Sequence, residues 1–287
     1  MNLPDMTPSL LEADDAEDAL ALSTAQGWNQ TLADWRRLLD LEPAGCFAAR
    51  RGSRLIGTVT TTTYGDDLAW IGMMIVHADA RRQGIGRALM RQALTYLERR
   101  GVRTVMLDAT PAGRPLYASL GFVRESDVER WEGSPRGTWD VRDRAEEPLA
   151  GVYPLDRAAY GADRSRLLER LAAEAACRPV VWRADAGSPA GYALAREGRV
   201  ATYIGPVVGD TDRIALQLVD EMLARFAGQP VLIDIDPADP ERPRRLAERG
   251  LTLQRRFIRM RLGRASDVDP GRATGGSIGA NAGPEYG

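Results

Sequence analysis

One short segment has the residue types and the spacing that suit binding of a diphosphate. Residues 81–86 read Arg-Arg-Gln-Gly-Ile-Gly, and they follow an apolar run that ends at Val76. Glycine lets backbone amides approach a ligand without an intervening Cβ. A helix predicted to begin near Gly84 would add unpaired N–H groups and the positive end of its dipole. These features, together with the arginine charges, predict a diphosphate site at this strand-to-helix turn.

The segment does not fit the fingerprint of dinucleotide-binding folds. That fingerprint needs a third glycine, and Leu89 stands in its place. The segment also follows several predicted strands, whereas the fingerprint opens its fold. NAD binding is therefore not expected.

A second motif lies downstream, where residues 116–122 read Leu-Tyr-Ala-Ser-Leu-Gly-Phe. Together the two motifs resemble those of the GNAT family, the GCN5-related N-acetyltransferases. Residues 81–86 match that family's Arg/Gln-x-x-Gly-x-Gly/Ala diphosphate loop, and residues 116–122 match its Leu-Tyr-x-x-x-Gly-Phe signature. The resemblance covers residues 10–131 best. The chain departs from it at Thr110, where many members have asparagine.

The resemblance implies an acetyl-CoA site and two catalytic residues. In the family, the tyrosine that matches Tyr117 protonates the departing CoA thiolate. Because Thr110 replaces the usual asparagine, Asp108 becomes the residue expected to contact the amine substrate or to remove its proton. A core aromatic is the alternative for Tyr117, and a turn or cap residue is the alternative for Asp108. The residues expected to bind acetyl-CoA are Met74, Ile75, Val76, Arg81, Arg82, Gln83, Gly84, Ile85, Gly86 and Arg87.

The resemblance also assigns an acceptor site. Trp28, Asn29 and Gln30 lie in a loop between two predicted helices, a region that often covers the acceptor in this family. Trp70 lies on an apolar strand and is expected to line the acceptor pocket. Burial in the core is the alternative for both tryptophans.

The composition excludes several classes of chemistry. All 38 basic residues are arginine, so neither a lysine Schiff base nor a Walker P-loop is possible. His77 is the only histidine, which excludes a multi-histidine metal site, and no metal is expected. Cys46 and Cys177 lie far apart and form no CxxC pair.

Charge and hydropathy narrow the expected partners. The formal charge is −2 and the isoelectric point is near 5.7, so neither nucleic acid nor an anionic membrane is an expected partner. No apolar run approaches the ~20 residues of a membrane-spanning helix. Two thiols and no signal peptide favour the cytoplasm. The oligomeric state does not follow from the sequence.

The hydrophobic pattern predicts two similar units in tandem, in line with the 287-residue length. In both, helices and a run of strands precede a long helix, a strand, a short helix and a last strand. The expected fold class is mixed α/β (α+β), with a largely antiparallel central sheet flanked by helices, GNAT-like and duplicated. The expected boundaries are 1–131 for a catalytic domain, 132–149 for a linker, 150–262 for a degenerate domain and 263–287 for a flexible glycine-rich tail.

The second unit differs from the first at its phosphate loop. Residues 209–213 read Gly-Asp-Thr-Asp-Arg, which contains no Gly-x-Gly and is acidic. Acidic side chains repel a diphosphate, so we expect the second unit not to bind acetyl-CoA. We also expect a strand over residues 152–155 to open this unit.

These observations predict an N-acetyltransferase. It would move the acetyl group of acetyl-CoA directly to a primary amine of a small molecule within a ternary complex. Neither cysteine lies in a motif, so no covalent acetyl-enzyme is expected. Two alternatives remain: a non-catalytic module that senses acetyl-CoA or a small amine, and a transferase for another acyl group.

Overall fold

The computed structural model describes residues 7–137, 139, 149, 151–184, 187–263 and 276–287. We call residues up to 137 the first half and residues from 149 onward the second half. The first half contains β1 (Ser9–Leu10), α1 (Ala16–Ala25), α2 (Leu32–Leu41), β2 (Phe47–Arg51), β3 (Arg54–Tyr64), β4 (Leu68–Val76), α3 (Ile85–Arg99), β5 (Thr104–Ala109), α4 (Arg114–Ala118) and β6 (Val123–Gly133). The second half contains α5 (Tyr153–Tyr160), α6 (Ser165–Ala173), β7 (Val180–Arg183), β8 (Pro189–Arg196), β9 (Thr202–Gly209), α7 (Asp212–Arg225), β10 (Val231–Ile235), α8 (Glu241–Glu248), β11 (Thr252–Gly263) and β12 (Ser277–Ala280).

All the described strands join one mixed sheet, and its order reads nearly the same from both ends. The order is β1-β2-β3-β4-β5-β11-β6-β10-β9-β8-β7, and β12 pairs with β9. Only β4–β5 and β9–β10 are parallel among these pairs. Helices α3 and α7 pack against the sheet in equivalent places of the two halves. The predicted duplicated, largely antiparallel fold is therefore confirmed.

The two halves exchange their last long strands. Strand β11 of the second half pairs with β5 of the first half, and β6 of the first half pairs with β10 of the second. Strands β6 and β11 also pair with each other at the centre of the sheet. Each half therefore supplies a strand that completes the sheet of the other.

Two buried ion pairs join the exchanged strands to their new neighbours. Arg259 on β11 holds both carboxylate oxygens of Asp108 on β5, at 2.9 Å each. Arg130 on β6 holds both oxygens of Asp234 on β10, at 2.7 Å each. Bidentate pairs of this kind have strict geometry, so each pair helps to fix the register of an exchanged strand.

The start of α2 follows its sequence signal. Thr31 accepts a hydrogen bond from the amide of Asp34, and the Asp34 carboxylate accepts one from the amide of Thr31. This reciprocal capping satisfies two amides that a helix start leaves unpaired. The buried face of α2 includes Trp35 and Leu38, as the helical spacing predicts.

The prediction of a strand over residues 152–155 is wrong, because the chain there enters helix α5. Pro154 lies in the first turn, where a helix tolerates proline. Gly161 ends the helix with a φ of +86°, a conformation that glycine adopts without strain. A run of four residues was too short to separate a strand from a helix start.

The prediction of a flexible tail over residues 263–287 is wrong for the described residues 276–287. Strand β12 pairs with β9, and Tyr286 is fully buried. Its hydroxyl accepts a hydrogen bond from Arg37 at 2.9 Å, and its carbonyl accepts one from the Tyr64 hydroxyl at 2.7 Å. Glycine allows close packing here, since a Cβ on Gly279 would lie only 3.2 Å from a neighbouring side chain.

The predicted linker, residues 132–149, lies only partly within the described residues. Strand β6 extends to Gly133, inside the range 132–149, and the amide of Arg136 donates to the carbonyl of Arg249. Residues 138, 140–148, 150 and 264–275 lie outside the described residues. Across the residues that are described, no helix is both long and apolar enough to span a membrane.

Candidate active site

The candidate site opens where two parallel strands separate. Strands β4 and β5 pair at three positions only, from Leu68–Thr104 to Trp70–Met106. Beyond them, β4 bulges against β3, and Met73 has a φ of +47°, which is unusual for a side chain other than glycine. The bulge and the early end of pairing leave a wedge-shaped gap between the two strands.

A cavity of about 730 Å³ fills this gap and the space around it. Most of the predicted site residues line the cavity. They are Trp28, Gln30, Met74, Ile75, Val76, Arg81, Arg82, Gly84, Ile85, Gly86, Arg87, Asp108 and Tyr117. Asn29, Trp70 and Gln83 do not line it.

Two glycines shape the start of α3 for different reasons. Gly84 precedes the helix with a φ of +82°, and a Cβ there would meet open space. A Cβ on Gly86 would lie 3.0 Å from Met74 Cε and 3.3 Å from Leu116 Cδ2. No side chain caps this helix start. Its first amides therefore face the cavity side of the turn without a protein cap, as a diphosphate site requires.

Three arginines surround this helix start. Arg81 donates through Nε to the carbonyl of Val76 at 3.1 Å, and Arg87 donates to Ser119 Oγ at 3.0 Å. Arg82 lies in the turn with a φ of +62°. Among the described residues none of these three guanidinium groups makes an ion pair, so their charge is available to an anionic ligand.

Gln83 faces away from the cavity. Its side-chain amide donates to the carbonyl of Asp79 at 3.1 Å, and its oxygen accepts from Arg51 at 3.1 Å. The prediction for Gln83 concerns its backbone amide at the diphosphate, and these side-chain contacts leave that prediction open. His77 caps the short turn over residues 78–80, where its Nδ1 accepts a hydrogen bond from the amide of Asp79 at 3.3 Å.

Tyr117 lies on the short helix α4 and points its ring into the cavity wall. The ring packs edge-on against Phe122, with 6.2 Å between centroids, and only 9% of the residue is exposed. Gly113 leaves room for it, because a Cβ there would lie 3.0 Å from Tyr117 Cε2. Burial raises the pKa of Tyr117 to about 12. Within the described part of the chain its hydroxyl makes no hydrogen bond, so it is available to a ligand.

Asp108 reaches the cavity wall but is already engaged. Both of its oxygens accept hydrogen bonds from Arg259, and both side chains are almost fully buried. Since one guanidinium engages both oxygens, the carboxylate is already committed to a partner within the protein. The geometry therefore favours a structural role for Asp108 over the catalytic role that the sequence predicts.

The predicted acceptor residues divide between the cavity and the core. Trp28 and Gln30 line the cavity. Asn29 instead binds the second half, donating to the carbonyl of Ala201 at 2.9 Å and accepting from the amide of Val200 at 2.9 Å.

Trp70 also lies outside the cavity. Its indole is fully buried, and its Nε1 donates to the carbonyl of Pro284 at 2.9 Å. Trp70 is therefore a core residue, which was the alternative to a place in the acceptor pocket. The prediction that it lines the acceptor pocket is wrong. The segment after β12 covers the indole, since a Cβ on Gly287 would lie 2.7 Å from Trp70 Cζ3.

Several cavity residues come from elements that sequence reasoning did not connect to this site. We call one group of cavity residues the acceptor end, because it includes Glu285, which lies over Gly72 in the middle of β4. The group is Trp28, Gln30, Arg130, Arg255, Phe257 and Glu285. Arg130, Arg255 and Phe257 lie on the exchanged strands. No sequence pattern predicts that exchange. The only signal for Glu285 was a Glu-Tyr pair inside a glycine-rich stretch.

Glu285 lies directly over the middle of β4. A Cβ on Gly72 would lie 2.8 Å from Glu285 Cα, so only glycine fits beneath this segment. The Glu285 side chain pairs with Arg196, and Gln30 donates to its other oxygen at 3.2 Å. Burial raises the pKa of Glu285. The segment that follows β12 therefore forms part of the wall of the first-half cavity.

The equivalent gap in the second half is occupied by the chain itself. Strands β9 and β10 also pair at only three positions, from Thr202–Val231 to Ile204–Ile233, before they separate. Strand β12 then pairs with residues 207–209 of β9. These residues correspond to the stretch of β4 beside the cavity that has no pairing with β5. The start of α7 is capped by Thr211, which accepts from the amide of Ile214.

Comparison with known families decides what this arrangement is. One family model, "Acetyltransferase (GNAT) family", matches residues 12–122, and another, "Acetyltransferase (GNAT) domain", matches residues 152–272. The chain belongs to the GNAT family. Its two halves are two GNAT domains in tandem, and residues 81–86 and Tyr117 lie in the first of them.

Curated relatives share parts of the chain. The uncharacterized N-acetyltransferase YitH of Bacillus subtilis is 28% identical over 174 residues, which cover 58% of this chain and 60% of YitH. The mycothiol acetyltransferase of Thermomonospora curvata is 40% identical over 97 residues, which cover 33% of each chain. The chain thus spans 60% or less of the length of these two GNAT relatives.

Solved GNAT structures match almost the whole chain. An acetyltransferase candidate from Pyrococcus horikoshii has a TM-score of 0.82 at 24% identity, covering 100% of this chain and 98% of its own. A tandem GNAT protein of the clavulanic acid biosynthesis pathway has a TM-score of 0.57 at 17% identity, covering 90% and 99%. At these identities the likeness shows the shared tandem fold.

Proposed function

We propose that the chain transfers the acetyl group of acetyl-CoA to a primary amine of a small molecule, directly and within a ternary complex. One observation carries this proposal. One cavity in the first half joins an uncapped helix start, three arginines and the hydroxyl of Tyr117, and among the described residues these arginines make no ion pair and this hydroxyl makes no hydrogen bond. A diphosphate-bearing thioester needs the first two features, and release of its thiol needs the third.

The residues present fit acetyl-CoA. Gly86 lets α3 begin close to Met74 and Leu116, where a Cβ would crowd both side chains, and the amides at this helix start suit a diphosphate. Arg81, Arg82 and Arg87 would add charge-assisted hydrogen bonds to the phosphate oxygens. Acetyl-CoA would supply the activated acetyl group. Residues 74–76 of β4, which have lost β5 as a partner, would hold the extended arm of the molecule.

Tyr117 is the residue that we propose to handle the leaving thiolate. With a pKa of about 12, its hydroxyl stays protonated at all ordinary pH values and can donate a hydrogen bond to sulfur. Full transfer to a thiolate, whose conjugate acid has a pKa of about 8.5, runs uphill. The hydroxyl therefore acts best as a relay, giving its proton to sulfur while it regains the proton that the attacking amine loses.

We propose that the second half binds no acetyl-CoA. Strand β12 fills its gap, and Thr211 already caps the helix start that would otherwise receive a diphosphate. The adjacent loop carries Asp210 and Asp212, whose charges oppose phosphate. The second half instead supports the first through strand β11 and the segment after β12. The division into a catalytic first domain and an inert second domain is part of this proposal.

The test is acetyl transfer to a panel of primary amines, followed by thiol release and by mass spectrometry of the products. Tyr117→Phe should lower kcat by about 10²- to 10⁴-fold and leave the Kd for acetyl-CoA unchanged. Tyr153→Phe is the matched control, because Tyr153 lies on α5 outside the cavity. Tight acetyl-CoA binding without any transfer would instead support a sensor module, and preference for a longer thioester would support another acyl group.

A further inference from the structure

The charged residues of the acceptor end are paired with one exception. The ion pairs join Arg130 to Asp234 and Glu285 to Arg196. Arg255 also lines the cavity, but within the described residues it makes neither an ion pair nor a side-chain hydrogen bond. Arg255 is therefore the one charged residue of the acceptor end that no described carboxylate holds in an ion pair, although Asp234 and Glu132 are near enough to favour its charge.

The surroundings of Arg255 favour an anionic partner. Arg255 lies on the exchanged strand β11 at a register shift, directly opposite Arg130 on β6. Partial burial, and then the charge of Arg130, lower the pKa of Arg255. A guanidinium that is half-buried beside a second guanidinium is stabilised by a ligand that brings negative charge.

The phosphates of acetyl-CoA are poor candidates for this partner. The features proposed to bind phosphate lie around Gly86. A Cβ on Gly86 would lie within 4 Å of Met74 and Val76, near the last residue of β4. The acceptor end is marked by Glu285, which lies over Gly72, four residues earlier on the same strand. Arg255 thus belongs to the end that receives the second substrate.

We propose that Arg255 binds a carboxylate of the acceptor, so that the acceptor is a primary amine that also carries a carboxylate. This inference rests on the proposed acetyl transfer and specifies its substrate class. The planar guanidinium can hold both oxygens of a carboxylate at once. The rings of Phe257 and Trp28 line the same wall and would contact the apolar body of an amino acid.

The experiment compares amines in matched pairs that differ only in the carboxylate: phenylalanine with phenethylamine, and ornithine with putrescine. Wild-type protein should favour the carboxylate-bearing member by about 10- to 100-fold in kcat/KM. Arg255→Gln should remove this preference by raising KM for that member alone. Arg256→Gln is the matched control, because Arg256 is exposed on the same strand and pairs with Glu129.

The outcomes separate this inference from the proposed function. Equal use of both members of a pair, or an unchanged preference in Arg255→Gln, would overturn the assignment of Arg255. An Arg255→Gln variant with weakened acetyl-CoA binding would overturn it as well, since Arg255 would then belong to the cofactor end. A protein that acetylates no amine at all fails the proposed function itself.

Discussion

At the scale of single residues, the chemistry depends on the environment of Tyr117. In the proposed mechanism the protonated hydroxyl is the active form. Burial raises the pKa of Tyr117 to about 12, so the hydroxyl stays protonated to higher pH than that of an exposed tyrosine. We therefore predict that kcat rises as the amine substrate deprotonates, near pH 8 for an α-amine and near pH 10 for an alkylamine, and that it does not fall again up to about pH 10. A pH–rate profile checks this. A fall in kcat near pH 9 that disappears in Tyr117→Phe would contradict it.

Asp108 leads to a different prediction, because its partner Arg259 is buried with it. Asp108→Asn should destabilise the fold by about 3–5 kcal/mol, since it leaves a buried guanidinium without its counter-charge. The folded fraction should keep kcat within a few-fold of wild type. Urea unfolding and kinetics on the same samples measure both quantities. Asp127→Asn, which breaks an exposed pair with Arg124, should cost less than about 1 kcal/mol.

A fully stable Asp108→Asn variant with a strongly reduced kcat would restore the catalytic role that the sequence predicts for Asp108.

The sequence could name Tyr117 and Gly86 because each stands inside a contiguous motif. It could not name Arg255 or Glu285, because each reaches the cavity from an element far away in the chain. Nor could it detect the pairing of Asp108, since Arg259 lies on a strand of the other half.

At the scale of elements, helix α3 offers a matched pair of glycines. Gly84 precedes the helix and Gly101 follows it, both with a positive φ and with open space at the Cβ position. Alanine at either position should cost about 1–2 kcal/mol of stability, because L-residues are strained there. Only Gly84→Ala should also weaken acetyl-CoA binding, by about tenfold or more, since it displaces amides that face the ligand.

Thermal unfolding and equilibrium binding of both variants test this prediction. Equal binding by Gly84→Ala and Gly101→Ala would show that the start of α3 does not hold the diphosphate.

Long amphipathic elements such as α3 were predictable from their spacing. The start of α5 was not, because a four-residue run carries no clear period. Strand β12 was missed because its glycines and alanines indicate mobility in isolation, whereas their small size is what lets the segment fit beside α7.

At the scale of the whole molecule, the tandem domains form one sheet, and we propose that only the first domain is catalytic. The exchange of β6 and β11 carries residues of the second half into the cavity of the first. Strand β12 fills the second gap, and the segment after it forms part of the first cavity wall. The duplication was predictable from the repeated order of elements. The exchange was not, because both pairings satisfy the same hydrophobic pattern.

The central claim is that one acetyl-CoA binds per chain, in the first half. Calorimetric titration of the full chain with acetyl-CoA tests it most directly, with Gly86→Glu as the variant that should fill and charge the site. We predict a single site in the wild type and no binding in Gly86→Glu. Two sites would show that β12 leaves the second gap open, and no binding to wild-type protein would contradict the account as a whole.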